Sequence, residues 1–115
     1  MARKFYRIVH SAVPTVDDFR TAAEERMPLT NEAHRREWAE GVSAYDDLAY
    51  TLRRAQKNRV RLGGFVVTLV IPHTGGVEVA KTMKNRRHYT IYASAGEILA
   101  LVEGEVIDAE DIDDS

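Results

Sequence analysis

The sequence predicts an α+β fold, in which a small central and mostly antiparallel sheet is covered by three to four helices. Helical patterns are concentrated in the N-terminal half, whereas the second half is rich in β-branched and aromatic runs. Such segregation is typical of α+β proteins rather than of doubly wound parallel sheets. The strongest strand signal is the uninterrupted apolar run at 65–71, which requires cover on both faces of the sheet.

The first two elements follow from local patterns. Alternation of apolar and polar residues at 4–10 predicts the opening strand. Thr15 and Asp18 form a capping-box pair at the start of the next element. Apolar residues then recur at helical spacing from Val16 to Met27, which predicts a helix that ends at the following proline.

The remaining elements are predicted in the same way. In order, they are a helix at 30–40 with Ala33 and Trp38 facing inward, a strand at 41–45, a helix to about residue 58, strands at 65–71, 77–79 and 88–93, a helix at 95–101, and a strand at 102–107. Asp46 or Ser43 is expected to cap the third helix, and Ser94 with Glu97 forms a second capping-box pair.

Length and composition describe one globular domain. The 115 residues include 44% apolar and 30% charged residues, an ordinary globular balance. No apolar run approaches the ~20 residues that span a bilayer, and the N-terminus lacks a signal-peptide core. The absence of cysteine excludes disulfides and thiol nucleophiles. We therefore expect a single cytoplasmic domain at 1–107 without membrane association, followed by an acidic tail at 108–115.

The formal net charge of −2 conceals an asymmetry. Residues 103–115, which include the acidic tail, hold seven acids and no base. The tail is expected either to fold over a basic face or to stay solvated. Two basic clusters stand out: Arg53, Arg54, Lys57, Arg59 and Arg61, and then Lys81, Lys84, Arg86, Arg87 and His88. The predicted basic surface consists of five of these residues: Arg53, Arg54, Lys57, Arg86 and Arg87. They are interpreted as solvated surface or as contacts for phosphates or an acidic partner. Nucleic acid is not the expected partner, because no reader motif is present.

The sequence lacks the motifs of phosphate loops, nucleophile elbows and metalloproteases. The four histidines stand far apart, and no pair has the helical spacing of metal ligands, so no metal site is expected.

A looser set of residues forms the candidate ligand-binding site: Arg7, Ser43, Tyr45 and His88. Arg7 lies in a strand among apolar neighbours, which predicts that it faces inward or into a cleft. An arginine offers a bidentate fork to phosphate and a tyrosine offers a stacking face, so the set could bind an anionic, aromatic ligand such as a nucleotide. The alternative is that Arg7 points to solvent and Tyr45 is a half-buried core residue.

The chain resembles a group of small, largely actinobacterial and hence bacterial, hypothetical proteins. The shared segments are Tyr6-Arg7-Ile8, Pro14 to Phe19, Gly41 to Tyr45, Ile71-Pro72 and His88 to Ile91. This resemblance implies no activity.

The chain is also distantly similar to ADP-ribosyltransferase-like folds, including the RES-type toxins that consume NAD. The resemblance implies that Arg7 meets the dinucleotide phosphates and that Tyr45 stacks on the nicotinamide. The helix after Tyr45 lacks the glutamate that RES-type proteins carry there. Glu103 is therefore the remaining candidate for a catalytic carboxylate.

Together, these observations favour a small non-enzymatic module that binds an unknown protein partner or a small anionic ligand, without a cofactor. The alternative is an ADP-ribosyltransferase-like enzyme that binds or consumes NAD, its only cofactor. A third alternative is nucleic-acid binding through the basic clusters.

Overall fold

The structure, a computed structural model, describes residues 2–111. Its strands are β1 (Ala2–Val9), β2 (Val42–Tyr45), β3 (Phe65–Pro72), β4 (Glu78–Lys81), β5 (His88–Tyr92) and β6 (Val102–Asp108). Its α-helices are α1 (Arg35–Glu40), α2 (Leu48–Lys57), α3 (Arg59–Leu62) and α4 (Ala95–Leu99). Short 3-10 helices lie at Val16–Phe19, Glu32–His34 and Ala109–Asp111.

The strands form one antiparallel sheet in the order β4-β5-β2-β1-β3-β6. β1 pairs with β3 along its whole length, from Ala2↔Pro72 to Val9↔Phe65. In contrast, β1 and β2 are in register at Tyr6↔Tyr45 alone. The sheet therefore opens between β1 and β2 beyond this pair.

Each face of the sheet buries its own apolar cluster. On one face, side chains of β1, β3 and β5 such as Phe5, Leu69 and Ile91 pack with Phe19 and Ile98. On the other face, Ile8, Tyr45 and Val66 pack against Leu52 and Ala55 of α2. The residues predicted to form the central strand are buried as expected: Val66, Val67, Leu69 and Ile71.

The predicted α+β class and the antiparallel sheet are confirmed. The helices, however, are spread along the chain rather than concentrated in its first half, since α4 lies between β5 and β6. Among the described residues, no helix has the length and the apolar character needed to cross a bilayer.

The predicted helix from Val16 to Met27 is wrong beyond its first turn. The capping box of Thr15 and Asp18 forms, but Phe19 is fully buried in the core and Arg20 is already extended (φ −76°, ψ 149°). Thr21 and Glu24 then bond reciprocally through main chain and side chain, which starts a separate turn. Because burial of Phe19 and these local bonds redirect the chain, helical spacing alone misleads here.

Two smaller predictions about the helices are also wrong. The cap of α2 is Asp47, whose side chain accepts from Tyr50 N–H at 2.8 Å, rather than Asp46 or Ser43. Ala33, which was predicted to face inward, is exposed. Trp38, predicted to face inward with it, is partly buried, and its indole N–H donates to Met27 O at 2.7 Å.

The described part of the predicted acidic tail packs on the domain. Ala109 is fully buried, its N–H donates to Gly64 O at 2.9 Å, and its carbonyl accepts from Gln56 Nε2 at 2.7 Å. The position of the domain boundary stays a prediction, as residues 112–115 lie outside the described residues.

Candidate functional site

A cleft of about 650 Å³ lies where β1 and β2 separate. Residues 7–10 line it from β1 and the turn that follows, and β2 contributes side chains opposite them. α2 and α3 add Arg54, Arg61 and Leu62, and the segment 17–37 closes another side. The structure brings all four candidate ligand-binding residues to this cleft: Arg7, Ser43, Tyr45 and His88.

Arg7 spans the opening between the two strands. Its Nε donates to Asp18 O at 2.9 Å, and its NH1 donates to Ser43 O at 2.7 Å. The guanidinium thus takes the place of a main-chain donor that a continuous β1–β2 ladder would supply. Burial lowers the pKa of Arg7 to about 10, against the opposing effect of Asp18, so the side chain stays charged at neutral pH.

A chain of hydroxyl groups and an imidazole begins in the cleft lining with Ser43 and His88 and continues outside the lining through Thr82 and Thr90. Ser43 Oγ lies 3.1 Å from His88 Nε2, and His88 Nδ1 lies 2.9 Å from Thr82 Oγ1. Thr82 Oγ1 in turn lies 2.6 Å from Thr90 Oγ1. Burial is the main cause that lowers the pKa of His88, and the charge of Arg54 lowers it further. The imidazole is therefore neutral at pH 7.

Tyr45 forms part of the cleft wall rather than an open stacking surface. It is 7% exposed, and its ring centroid lies 5.4 Å from that of Tyr50 and 5.6 Å from that of His88. The Arg54 guanidinium lies 5.6 Å from the same centroid. Burial raises the pKa of the Tyr45 hydroxyl.

Two charged groups in the cleft hold a polar atom without a partner. Arg54 Nε and Glu37 Oε2 are both buried, and neither atom has a hydrogen-bond partner within residues 2–111. Each side chain nevertheless interacts with a tyrosine hydroxyl, Arg54 with Tyr45 and Glu37 with Tyr92. Two other acids that line the cleft are engaged. Asp17 pairs with Arg20 at 2.6 Å, and the carboxylate of Asp18 accepts the Thr15 N–H at 3.0 Å.

The rim of the cleft includes a strained methionine. Met83, in the turn between β4 and β5, has φ 66° and is 47% exposed. A left-handed conformation is uncommon for a long side chain and is often found at functional sites. The same turn is attached to α2, because Asn85 Nδ2 donates to Tyr50 OH at 2.6 Å.

The other predicted site residues lie elsewhere. Glu103 is an exposed residue of β6 and does not line the cleft. Most of the predicted basic surface is exposed, namely Arg53, Lys57, Arg86 and Arg87. Arg87 pairs with Asp47 at 2.8 Å. Arg54, assigned to the same surface, is partly buried and turns into the cleft instead.

Sequence reasoning missed Arg54, Glu37 and Thr82 as members of the site. Arg54 stands beside the buried Ala55 and three residues after the buried Thr51, a spacing that could have shown its inward position. Nothing in the sequence marks Thr82, since its role depends on the pairing of β4 with β5. Within residues 2–111, no group of three or more His, Asp or Glu side chains is suited to hold a metal ion.

Comparison with known proteins identifies no relative of this chain. No protein family, curated protein or solved structure matches the chain. The two resemblances drawn from the sequence, and the NAD chemistry that one of them implies, stay predictions.

Proposed function

We propose that the protein binds a small anionic ligand in the cleft between β1 and β2. The observation that carries this proposal is Arg54 Nε, a buried cationic donor without a partner among the described residues. A buried donor left unsatisfied costs about 1–3 kcal/mol, and more when it is charged. An oxygen of a bound carboxylate or phosphate would remove that cost.

Neighbouring groups match the same chemistry. Arg7 is held in place by two carbonyl acceptors, which leaves its remaining N–H groups for other partners. Arg61 is an exposed cation on the lining and forms no ion pair within the described residues. Guanidinium groups suit carboxylate and phosphate oxygens because they donate in a planar, bidentate geometry.

Glu37 adds a second requirement for the ligand. Its Oε2 is an acceptor without a partner within residues 2–111, so a hydroxyl or amine of the ligand would satisfy it. We therefore expect a compact anion that also carries a hydrogen-bond donor. NAD is a less suitable occupant, because the ring of Tyr45, its expected stacking partner, is enclosed by protein groups.

The test compares two adjacent arginines of α2. Inorganic phosphate, glycolate and NAD⁺ are each titrated into the protein by calorimetry, for the wild type, Arg54→Gln and Arg53→Gln. Arg53 is exposed and does not line the cleft, so Arg53→Gln is the matched control for charge. Loss of a charge-assisted hydrogen bond should weaken binding to Arg54→Gln about ten- to a hundredfold.

The expected order of affinity is wild type equal to Arg53→Gln, with Arg54→Gln clearly weaker. Equal affinities of the two variants would mean that the anion binds elsewhere. Absence of binding by phosphate and glycolate at millimolar concentration would refute the proposal, and tight binding of NAD⁺ alone would favour the dinucleotide alternative.

A further inference from the structure

We propose that Ser43 is a nucleophile activated by His88, and that the cleft can hydrolyse esters of small carboxylic acids. This activity goes beyond ligand binding. It concerns the chain of polar side chains that begins at Ser43 and His88 rather than the arginines that line the cleft.

The first support for this inference is the geometry of the pair. Ser43 is exposed on the cleft side of β2, and its Oγ lies 3.1 Å from His88 Nε2. This is within the range of about 2.6–3.2 Å that a nucleophile and its general base require. The registers Ser43↔Thr90 and Tyr45↔His88 place both side chains on one face of two paired strands. The pair is therefore held by the sheet and not by a loop.

The second support is the tautomer of His88. His88 Nδ1 lies 2.9 Å from Thr82 Oγ1, an oxygen that can accept a hydrogen bond from the ring. In the proposed arrangement, the ring proton lies on Nδ1, and Nε2 keeps its lone pair towards the Ser43 hydroxyl.

Thr82 acts here as a positioning residue. Its hydroxyl lies 2.9 Å from His88 Nδ1 and is itself held by Thr90 Oγ1 at 2.6 Å. This places it where the third member of a serine–histidine triad orients the imidazole. The low pKa of His88 keeps the ring neutral at pH 7 and able to accept a proton. Arg54 Nε, without a partner in residues 2–111, is a donor for an oxyanion.

The reaction balances without any further reagent except water. Ser43 Oγ forms a bond to the ester carbonyl carbon, and its proton passes to His88 Nε2. The carbon–oxygen bond to the alcohol breaks, and the leaving oxygen takes that proton. Water then attacks the acyl carbon and gives a proton to His88. Finally, Ser43 Oγ leaves, receives the proton, and the free carboxylic acid is released.

The experiment uses diisopropyl fluorophosphate, in which the serine oxygen displaces fluoride from phosphorus. The labelling rate is followed by intact mass, and the modified peptide is sequenced. We expect one label on Ser43, none on Ser43→Ala, and an unchanged rate for Ser11→Ala. Ser11 is a suitable control because its hydroxyl bonds Asp18 rather than a histidine. His88→Gln should slow labelling at least about a hundredfold.

Two further measurements distinguish a role of these residues in the reaction from a role in folding alone. In the wild type, the labelling rate should rise with pH and then level off, following the titration of a single group whose pKa lies below the ordinary histidine value of 6.5. Thr82→Val should slow labelling while Thr82→Ser restores it, and p-nitrophenyl acetate hydrolysis should follow the same order.

Absence of a label at pH 8, a label on another residue, or a pH-independent rate would overturn the inference. Phosphate titration of Ser43→Ala distinguishes the two proposals. If phosphate still binds while no label forms on the wild type, the esterase proposal is refuted and the proposal of anion binding stands.

Discussion

The two sides of β1 differ in both pairing and chemistry. Towards β3, the strand is paired from end to end, and the neighbouring side chains Phe5 and Leu69 are fully buried in the core. Towards β2, pairing is limited to Tyr6↔Tyr45, and the opening beyond it holds Arg7 and Ser43. One strand thus serves as the centre of the core and as a wall of the cleft. Arg7 is therefore carried by a strand whose other edge is fully paired with β3.

The chain at the start of β2 lies very close to its neighbours in β5 and α1. A Cβ on Gly41 would lie 2.2 Å from Thr90 Cγ2 and 2.9 Å from Glu37 O. Glycine alone allows the chain to pack this closely against β5 and α1. Across the gap, the Arg7 guanidinium bonds Ser43 O and bridges the separated strands.

The largest effect is expected on the paired side of β1. Leu69→Ala should lower the free energy of unfolding by about 2–5 kcal/mol, because it removes a fully buried side chain and leaves a cavity. Urea denaturation measures this change. Val60→Ala, at a side chain that is 96% exposed, should stay within about 0.5 kcal/mol. A comparable loss for both variants would show that the β1–β3 pair is not the stable side.

A smaller effect is expected at the open side. Gly41→Ala should destabilise the protein by about 1–3 kcal/mol, since the new methyl group meets the Thr90 side chain and the Glu37 main chain. Gly96→Ala is the matched control: a Cβ there meets nothing within 4 Å, and alanine in α4 should stabilise by up to about 1 kcal/mol. Thermal unfolding of both variants decides the point. A neutral Gly41→Ala would contradict the close approach of β2 to β5.

The smallest effect is a pH dependence that belongs to the open side. The pKa of His88 is lowered by burial from its ordinary value of 6.5, so the unfolded chain binds the proton more readily than the folded protein does. The stabilisation from the neutral ring is complete above pH 6.5 and is lost as the pH falls through the folded pKa.

Urea denaturation from pH 7.5 to pH 5 should therefore show a steeper loss of stability in the wild type than in His88→Gln. His73→Gln, an exposed position outside the cleft, should behave as the wild type does. Parallel pH profiles for the wild type and His88→Gln would mean that His88 contributes nothing to the pH dependence of stability.

Local patterns predicted much of this fold. The 65–71 run became the buried strand β3, and the capping boxes at Thr15 and Ser94 formed as the spacing indicated. Each of these depends on residues within a few positions of one another. The helix predicted from Val16 to Met27 ends after one turn, because the packing of Phe19 in the core and the local bonds between Thr21 and Glu24 outweigh the helical spacing.

The candidate site divides in the same way. Residue type and strand position led to the choice of Arg7, Ser43 and His88 as candidates. Arg7 lies among apolar neighbours, Ser43 shares one side of a short strand with a tyrosine, and His88 begins a strand next to two arginines. Their contacts were beyond the sequence. Arg7 meets the carbonyl of a residue 36 positions away, and Ser43 meets the ring of a residue 45 positions away. Strand order and register decide such contacts, because a shift of one residue would turn every side chain to the other face.

By itself, the sequence determined the buried strand β3, the two capping boxes and the polar residues that interrupt the strands. Tertiary structure decided that β1 and β2 separate and that Arg54 and Glu37 turn into the gap. The physical reason is that strand pairing and the lining of the cleft depend on elements that are distant in the sequence, so no local pattern sets them.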